Sequence, residues 1–412
     1  RWPWKTQRFQ KRPTSIHANP DRRVEIAIIG AGIAGIATAH ALCAGRRKTS
    51  LLLIDPRSPM SYTSAQSGDN YRNWWPHPVM TAFTNDSIDR MAALARETDD
   101  FFSMHTGGYA LATRRSDIDD LLADLQPGVD VEVVPGLQRI QQRFRGLSPD
   151  IANVIHLKRG GDISGQQLGM LMLERVREAG GARLQGEVVA IDGGPPFALT
   201  VSCENSEQTV AADVVVNAAG PFAGRIAGML DETLPVKNVY QQKLAFEDRL
   251  SAVPRDMPFT IDLDSKRLGW TSDEIDWLQS EPALAWLAEE VPGGTHCRPE
   301  GGLRGSWVKL GWAYNRTESD PQEHLVNEPA SNPHFPEIVI RAATAMLPAL
   351  HPYIDSPPRR FTHYGGYYTM TEENWPLIGP CGPDGSFIVG ALSGFGSMSA
   401  CAAGELCAAW IR

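Results

Sequence analysis

The sequence contains no run approaching the roughly 18 uncharged apolar residues that a bilayer-spanning helix requires, so no membrane span is expected. It is poor in cysteine. Its six cysteines (Cys43, Cys203, Cys297, Cys381, Cys401 and Cys407) form no CxxC pair and no Cys/His pair at metal-ligand spacing. That argues against zinc and iron–sulfur sites, so no metal is expected, and fits a reducing cytoplasm. Positive charge is also short: 39 Lys and Arg stand against 48 Asp and Glu, a net charge of −9. Seven of those basic residues, with one Asp, sit in residues 1–23, leaving 32 basic against 47 acidic groups in the remainder. The acidic body makes nucleic acid an unexpected partner. Pro3, Pro13, Pro20 and Asn19 interrupt any helix in the basic arm, which also lacks the apolar core of a secretory signal. It reads as an arm lying on the protein surface. No internal repeat or low-complexity tract is present.

What the sequence does contain is a strand–turn–helix at residues 24–44. An apolar strand (24–29) runs into Gly30-Ala31-Gly32-Ile33-Ala34-Gly35, and a helix follows. Gly30 permits the tight turn, Gly32 lets the backbone approach a pyrophosphate, and Gly35 lets helix pack on strand. The helix start supplies N–H groups and a positive dipole end to the phosphates. A second strand (50–54) ends in Asp55, placed to accept hydrogen bonds from the ribose hydroxyls of an unphosphorylated adenosine, as in FAD or NAD. The motif alone leaves that choice open.

Further along, the pattern predicts a helical stretch over about 85–104, a helix over 165–179 stopped by Gly180-Gly181, and a strand over 182–191. Strands over 199–203 and 210–218 follow, the second ending in small residues that let a flat ligand lie against the backbone. Residues 234–362 differ in character, with short aromatic-containing strands, many prolines and a Trp-rich stretch over 270–287. The last segment, with a strand near 387–391, Gly394-Phe395-Gly396 and a small-residue helix, returns to the first pattern. The expectation is an α/β (α+β, two-domain) protein. A Rossmann-like dinucleotide-binding domain (FAD-binding, by the resemblance given next) would comprise 24–105, 160–232 and 366–412, and a mostly antiparallel substrate-binding sheet domain 106–159 and 233–365. A helical insertion at about 264–302 is expected to begin at Ser272 and to break at Pro282.

GAGIAG with Asp55, SAQSGDNYR (64–72), ADVVVNAAGPFA (212–223), VKLGW (308–312), GYYTMTEENWPLIGP (366–380) and VGALSGFGSMSACAAGEL (389–406) occur in an order and spacing that resembles the D-amino-acid-oxidase-like flavoenzymes, most closely the sarcosine oxidase and glycine oxidase branch. The resemblance spans nearly the whole chain from Val24. It implies FAD over NAD, and a cofactor contact set of Gly30, Gly32, Ile33, Ala34, Gly35, Asp55, Pro56, Ser64, Val189, Ala219, Gly220, Gly366, Gly394, Phe395, Gly396, Ser397 and Met398. The N–H groups of Gly396, Ser397 and Met398 would meet charge developing on the flavin pyrimidine. Lys309, in the KLG context, corresponds to a lysine that promotes reaction with O2. Tyr368 matches a substrate-contacting tyrosine. Arg72, displaced by one residue from the family spacing, matches an arginine that pairs with substrate carboxylate or flavin.

The departures are informative. The family's flavin-tethering cysteine is Gly366 here, so FAD is expected to be non-covalent, with His77 the alternative attachment point. A substrate-binding lysine becomes Met398, and a histidine after KLG becomes Ala313. These losses, with Trp74, Trp75 and Trp312 nearby, point away from sarcosine and toward a larger or more aromatic substrate. The resemblance implies oxidation of an amine or amino acid C–N bond by hydride transfer to flavin N5, imine hydrolysis, and O2 reoxidation to H2O2. A dehydrogenase of an amine or 2-hydroxy acid using another acceptor, or a flavin-binding subunit of a larger complex, stays open, as does a homo-oligomer.

Overall fold

The computed structural model describes residues 21–44, 49–325 and 331–412. All of the basic arm except its last three residues lies outside them.

The chain builds two large sheets. In the first, β1 (Arg22–Ile29) lies between β2 (Leu51–Asp55) and the strand Ser206–Asn217, parallel to both. Beyond them stand Ala182–Gln185 on one side and Ser386–Gly390 then Leu377–Pro380 on the other. These strands are continuous apolar runs because both faces are covered, one by helices and the other mainly by the antiparallel strands Glu187–Asp192 and Phe197–Cys203. Packed on the helical face are α1 (Ile33–Cys43), the helices Pro78–Glu97 and Gly165–Glu178, and the C-terminal helix Gly396–Ile411. Gly404 allows the closest approach, since a Cβ there would lie 2.4 Å from the Ala37 carbonyl carbon of α1. Later strands are added first on the β2 side of β1 and then on its Ser206–Asn217 side, so the carboxyl end of β1 is a switch point with a crevice beside it.

The second sheet runs Phe361–Met370, Lys237–Glu247, Trp307–Gly311, Thr295–Glu300, Phe259–Asp262, Tyr109–Thr113, Asn153–Leu157 and Val131–Pro135. Every neighbouring pair is antiparallel except Phe259–Asp262 with Tyr109–Thr113. The amphipathic helix Phe335–Thr344 buries Phe335, Ile338, Val339 and Ala342 against one face. Period-two alternation and register put Lys243, His296, Arg298, Lys309, Gly366 and Tyr368 on the other.

Several sequence expectations shift. The strand foreseen over 182–191 is two, Ala182–Gln185 and Glu187–Asp192, because the chain turns at Gly186 to pair antiparallel with Phe197–Cys203. The helix foreseen from about residue 85 starts at Pro78, capped by His77, and ends at Glu97. In the insertion the cap is Thr271, not Ser272: Thr271 and Glu274 form a reciprocal capping box, which only the residue three before the Glu can complete. That helix stops at Ser280, two residues before Pro282. The strand Phe361–Met370 belongs to the second sheet along its whole length, so a boundary at 366 would cut through it. Among the described residues no helix is long and apolar enough to cross a membrane, and no group of three or more His, Cys, Asp or Glu could hold a metal ion.

Burial holds four histidines below their ordinary pKa of 6.5: His40, His156 and His363, and His296, lowered to about 4. The native state therefore excludes protons that the unfolded chain takes up. Their stabilisation is complete above pH 6.5 and is lost as pH falls toward the folded values. We expect the urea midpoint to drop between pH 7.5 and 5, with a smaller drop in His296→Phe. Equal midpoints at both pH values in the parent protein count against this account.

Candidate active site

The crevice at the end of β1 is a cleft of about 1090 Å³. Its floor is the turn after β1. Gly30 has φ +116°, and a Cβ there would sit 2.3 Å from the Ala218 carbonyl oxygen, so only glycine lets the two strand ends converge. Gly35 does not line the cleft; its bare Cα faces the Gly30 carbonyl, which a Cβ would approach to 2.1 Å. Helix α1 begins at Ile33 with Gly32 as a cap that offers no side-chain bond. The Ile33 N–H donates to Ser64 Oγ at 3.0 Å, which ties the 63–66 turn to the helix start. The Asp55 carboxylate accepts from the Ala31 N–H at 2.7 Å and the Arg57 N–H at 2.8 Å. That fixes the acid at the end of β2 and leaves lone pairs on both oxygens.

A second cavity of about 450 Å³ adjoins at Gly30, Asp55, Arg57, Ala219 and Phe222, with Pro56, Gly186 and Val188 in its wall. Strand alternation decides which valine takes part. Val188 is buried, whereas the Val189 named from the sequence is 43% exposed and turns outward. Arg57 stacks 4.7 Å from the centroids of Tyr62 and Phe222 and pairs with Glu323, whose other oxygen takes Arg225 at 2.8 Å.

The far end of the cleft is built of three segments rich in small residues, Gly366 to Thr369, Val389 to Gly394, and Gly396 with Ser397, with Tyr367, Tyr368 and Leu392 among them. Ala391 and Ser393, both in this wall, have φ of 54° and 45°, strained for side-chain-bearing residues. A Cβ on Gly394 would meet the Tyr368 ring at 2.5 Å. The C-terminal helix starts here with no side-chain cap. Its first N–H groups, those of Gly396, Ser397 and Met398, thus have no intrahelical acceptor. The Phe395 and Met398 side chains are buried in the core at 3% and 6% exposure, so these two residues can reach a ligand only through their backbone. Two helix starts, a fixed acid and a narrow floor without side chains match the phosphates, ribose and flat ring of FAD. The residues present fit that group.

The residues singled out for catalysis separate. Tyr368 lines the cleft. Lys309 does not: its Nζ lies 3.0 Å from Glu300 Oε2, and Arg298 holds the same oxygen at 2.9 Å and Asp162 Oδ1 at 2.9 Å. Nearby, burial pushes the Asp69 carboxyl up, against the pull of Lys309, Ser67 and Arg298. Arg72 is also outside the lining, with its guanidinium over Trp75 at 4.5 Å and Tyr109 at 5.3 Å. His77 is a helix cap, edge-on to Trp375. The cation that lines the Tyr368 end of the cleft is Lys243, which no motif flagged. It is 7% exposed, donates to the Gln66 carbonyl at 3.0 Å and sits 5.6 Å from the Tyr368 ring centroid. Its one signal in the sequence is the polar run Gln241-Gln242-Lys243 between the apolar pairs Val239-Tyr240 and Leu244-Ala245.

No curated protein sequence matches the chain. Among solved structures it is similar to glycine oxidase from Geobacillus kaustophilus (16% identity, 95% of each chain, TM-score 0.72). It is similar also to L-proline dehydrogenase from P. horikoshii (18%, 94% of this chain and 92% of that one, TM-score 0.72). A third is L-alpha-glycerophosphate oxidase from Mycoplasma pneumoniae with FAD bound (13%, 95% of each, TM-score 0.71). At these identities the likeness is one of fold. The model of the FAD dependent oxidoreductase family (DAO) matches residues 25–410, nearly the whole chain. This cleft is thus that of an FAD-dependent oxidoreductase, and the chain belongs to the DAO family.

Proposed function

We propose that the chain oxidises the C–N bond of an amine or amino acid bound at the Tyr368 end of the cleft. The observation that carries this is the junction itself. The small-residue cradle ends at the cation-bearing face of the second sheet, where Tyr368 and Lys243 line the cleft and Arg72 lies behind. FAD, when bound, supplies the acceptor for the two electrons and the hydrogen leaving the substrate α-carbon. The turn Gly30-Ala31-Gly32 and the start of α1 hold the phosphates, and Asp55 takes the ribose. The helix start at Gly396 presents N–H groups to negative charge at the ring end. Tyr368 walls the substrate, and the fixed positive charge nearby favours the neutral, reactive form of the amine over its ammonium. Solved structures of this fold include a glycine oxidase and an L-proline dehydrogenase, which agrees with a nitrogen donor, and a glycerophosphate oxidase, which shows why the donor must be tested.

The acceptor has two readings. Lys309 as an O2-promoting ammonium makes the enzyme an oxidase forming H2O2. Its pairing with Glu300 offsets part of the charge it offers and favours the second reading, a dehydrogenase that passes electrons to a carrier. One anaerobic experiment addresses donor and acceptor. Amines, amino acids and 2-hydroxy acids are screened for bleaching of the visible flavin band, and air is then admitted. Bleaching by an amine with rapid recovery and H2O2 supports the oxidase, and Lys309→Met should then slow the recovery at least about tenfold. Bleaching by amines with recovery only on adding a quinone or dye supports the dehydrogenase. Bleaching by 2-hydroxy acids alone overturns the amine donor.

A further inference from the structure

We infer that Asp69 is a proton store for the cleft, reached through the hydroxyls of Ser67 and Ser397. It takes up the proton that a donor sheds as its hydride leaves, and returns it when the electrons pass to the acceptor. The inference rests on the reading above for the hydride step alone. An ammonium and a hydroxyl donor each shed one proton, so the store serves either.

The cleft has no acid or base of its own where the chemistry would occur. Among the described residues that line it, the only carboxylate is Asp55, at the opposite end, and no histidine is present. Lys243, as an ammonium, can only donate. Two hydroxyls lead out of this wall. Ser67 and Ser397 both line the cleft, and Asp69 lies behind them. Ser397 Oγ donates to Ser67 Oγ at 2.9 Å, and the Ser67 hydroxyl bonds the Asp69 carboxyl. The Asp69 N–H returns to Ser67 Oγ at 3.0 Å, which fixes the serine between its two neighbours. They meet where the helix Gly165–Glu178 begins. A Cβ on Gly165 would lie 2.5 Å from Asp69 Oδ1 and 3.1 Å from Ser397 Oγ, so a bare Cα leaves room for both. Asp69 Oδ1 is buried and has no hydrogen-bond partner among the described residues. It can therefore accept a proton without giving up a bond.

The charges around Asp69 act in opposite directions. Burial pushes its carboxyl up, and Lys309 from Trp307–Gly311 and Arg298 from Thr295–Glu300 pull it down. Both cations are shared with Glu300, and Arg298 also with Asp162. Tyr364 faces it as a phenol, which burial and the charges of Glu300 and Asp69 keep protonated. The start of the helix Gly165–Glu178 adds the positive end of its dipole. A carboxyl under such opposed pulls changes its proton occupancy when one more negative charge arrives in the cleft.

The proton moves by exchange. The donor's N–H or O–H proton passes to Ser397 Oγ as the Ser397 proton passes to Ser67 Oγ and the Ser67 proton to Asp69. Each serine breaks one O–H bond and forms another, and Asp69 gains one. The hydride, with both electrons, goes to FAD. Reducing O2 to H2O2, or a quinone to its quinol, takes two electrons and two protons. One proton travels with the hydride, and the other is the one Asp69 holds, returning along the same hydroxyls.

The test uses the FAD-loaded protein and needs no donor. The flavin is reduced by light beside a reference dye, and its midpoint potential is followed from pH 5.5 to 9. Over part of that range the parent should take up one more proton per two electrons than Asp69→Asn, whose amide has none to gain. Asn tolerates the φ of 59° at this position and keeps the N–H bond to Ser67. Ser397→Ala should keep the parental proton count but slow recovery of the photoreduced flavin, with O2 or a quinone, at least about tenfold. Asp69→Gly replaces Asp69→Asn if the latter loses FAD, and the Ser397→Ala rate decides if neither keeps it. Equal proton counts in the parent and Asp69→Asn, or parental recovery in Ser397→Ala, overturn the store. An extra proton in the parent with no amine able to bleach the flavin leaves the store standing and removes the amine reading. Bleaching by amines with equal proton counts does the reverse.

Discussion

Replacing Gly32 with valine is expected to give a folded but colourless protein. The backbone at Gly32 is ordinary for any residue, with φ −79° and ψ −178°, so a β-branched side chain is not strained there. A Cβ would touch only Ser64 Oγ, at 3.2 Å. Its two methyl groups would extend into the cleft where the pyrophosphate must meet the start of α1. The fold therefore keeps its contacts while the cofactor loses the close approach that makes the helix N–H groups useful. A loss of about a thousandfold or more in FAD affinity is expected, roughly 4 kcal/mol. Gly30→Ala should behave differently. With φ +116° and a Cβ 2.3 Å from the Ala218 carbonyl, it should lose stability as well as FAD. Absorbance of the purified proteins, FAD titration followed by fluorescence, and circular dichroism separate the two outcomes. A yellow Gly32→Val protein with parental FAD affinity would remove the phosphate site from this turn.

That contrast shows what the sequence could and could not disclose. Gly30, Gly32 and Asp55 were legible because they satisfy local rules: a strand must end, a turn must follow, and an acid must close the next strand. Both sheets were legible as patterns, one of continuous apolar runs and one of short mixed strands. Sidedness was harder. Val188 and Val189 are chemically identical, and only the bend at Gly186, which re-pairs the strand, decides which of them lines the second cavity. Lys243 was invisible for a related reason. A lysine in a strand reads as solvated, and it becomes a buried cleft residue only because the 63–68 turn and Tyr368 close over it. Lys309 was the opposite case. The motif named it, but its neighbour across the strand pair, Arg298, and Glu300 two residues further along claim it for an ion network that sequence spacing cannot display. Phe395 and Met398 were found through a helix-start motif, and the structure turns their side chains into the core. A motif identifies a backbone feature more securely than it identifies the atoms that serve it.

The same charge logic leads to the largest expected effect on stability, away from the cleft. Asp262 ends a central strand of the second sheet at 0% exposure, and Lys266, 6% exposed at its side chain, donates to its Oδ2 at 2.5 Å. Arg114 holds the other oxygen at 3.0 Å and also reaches Asp264 and Asp150. Asp262→Asn should cost about 3–5 kcal/mol, because it strands a buried ammonium. Lys266→Met should cost clearly less, since Arg114 still answers Asp262. The double variant should recover most of the loss, as removing both charges leaves neither unpaired. The pH dependence supplies an independent sign. Burial, outweighing the attraction of Asp262, holds Lys266 below its ordinary value of 10.5 in the folded state. The unfolded chain therefore binds more protons, and stability from this group rises with pH through the window between the folded pKa and 10.5. Removing Asp262 lowers the folded pKa further, so the Asp262→Asn deficit should shrink as pH is raised from 7 to 9.5. Denaturant midpoints of the four proteins at both pH values test this directly. Equal costs for the two single variants, or a deficit that grows with pH, would show that the strand end is held by packing and backbone bonds and that its buried pair is incidental.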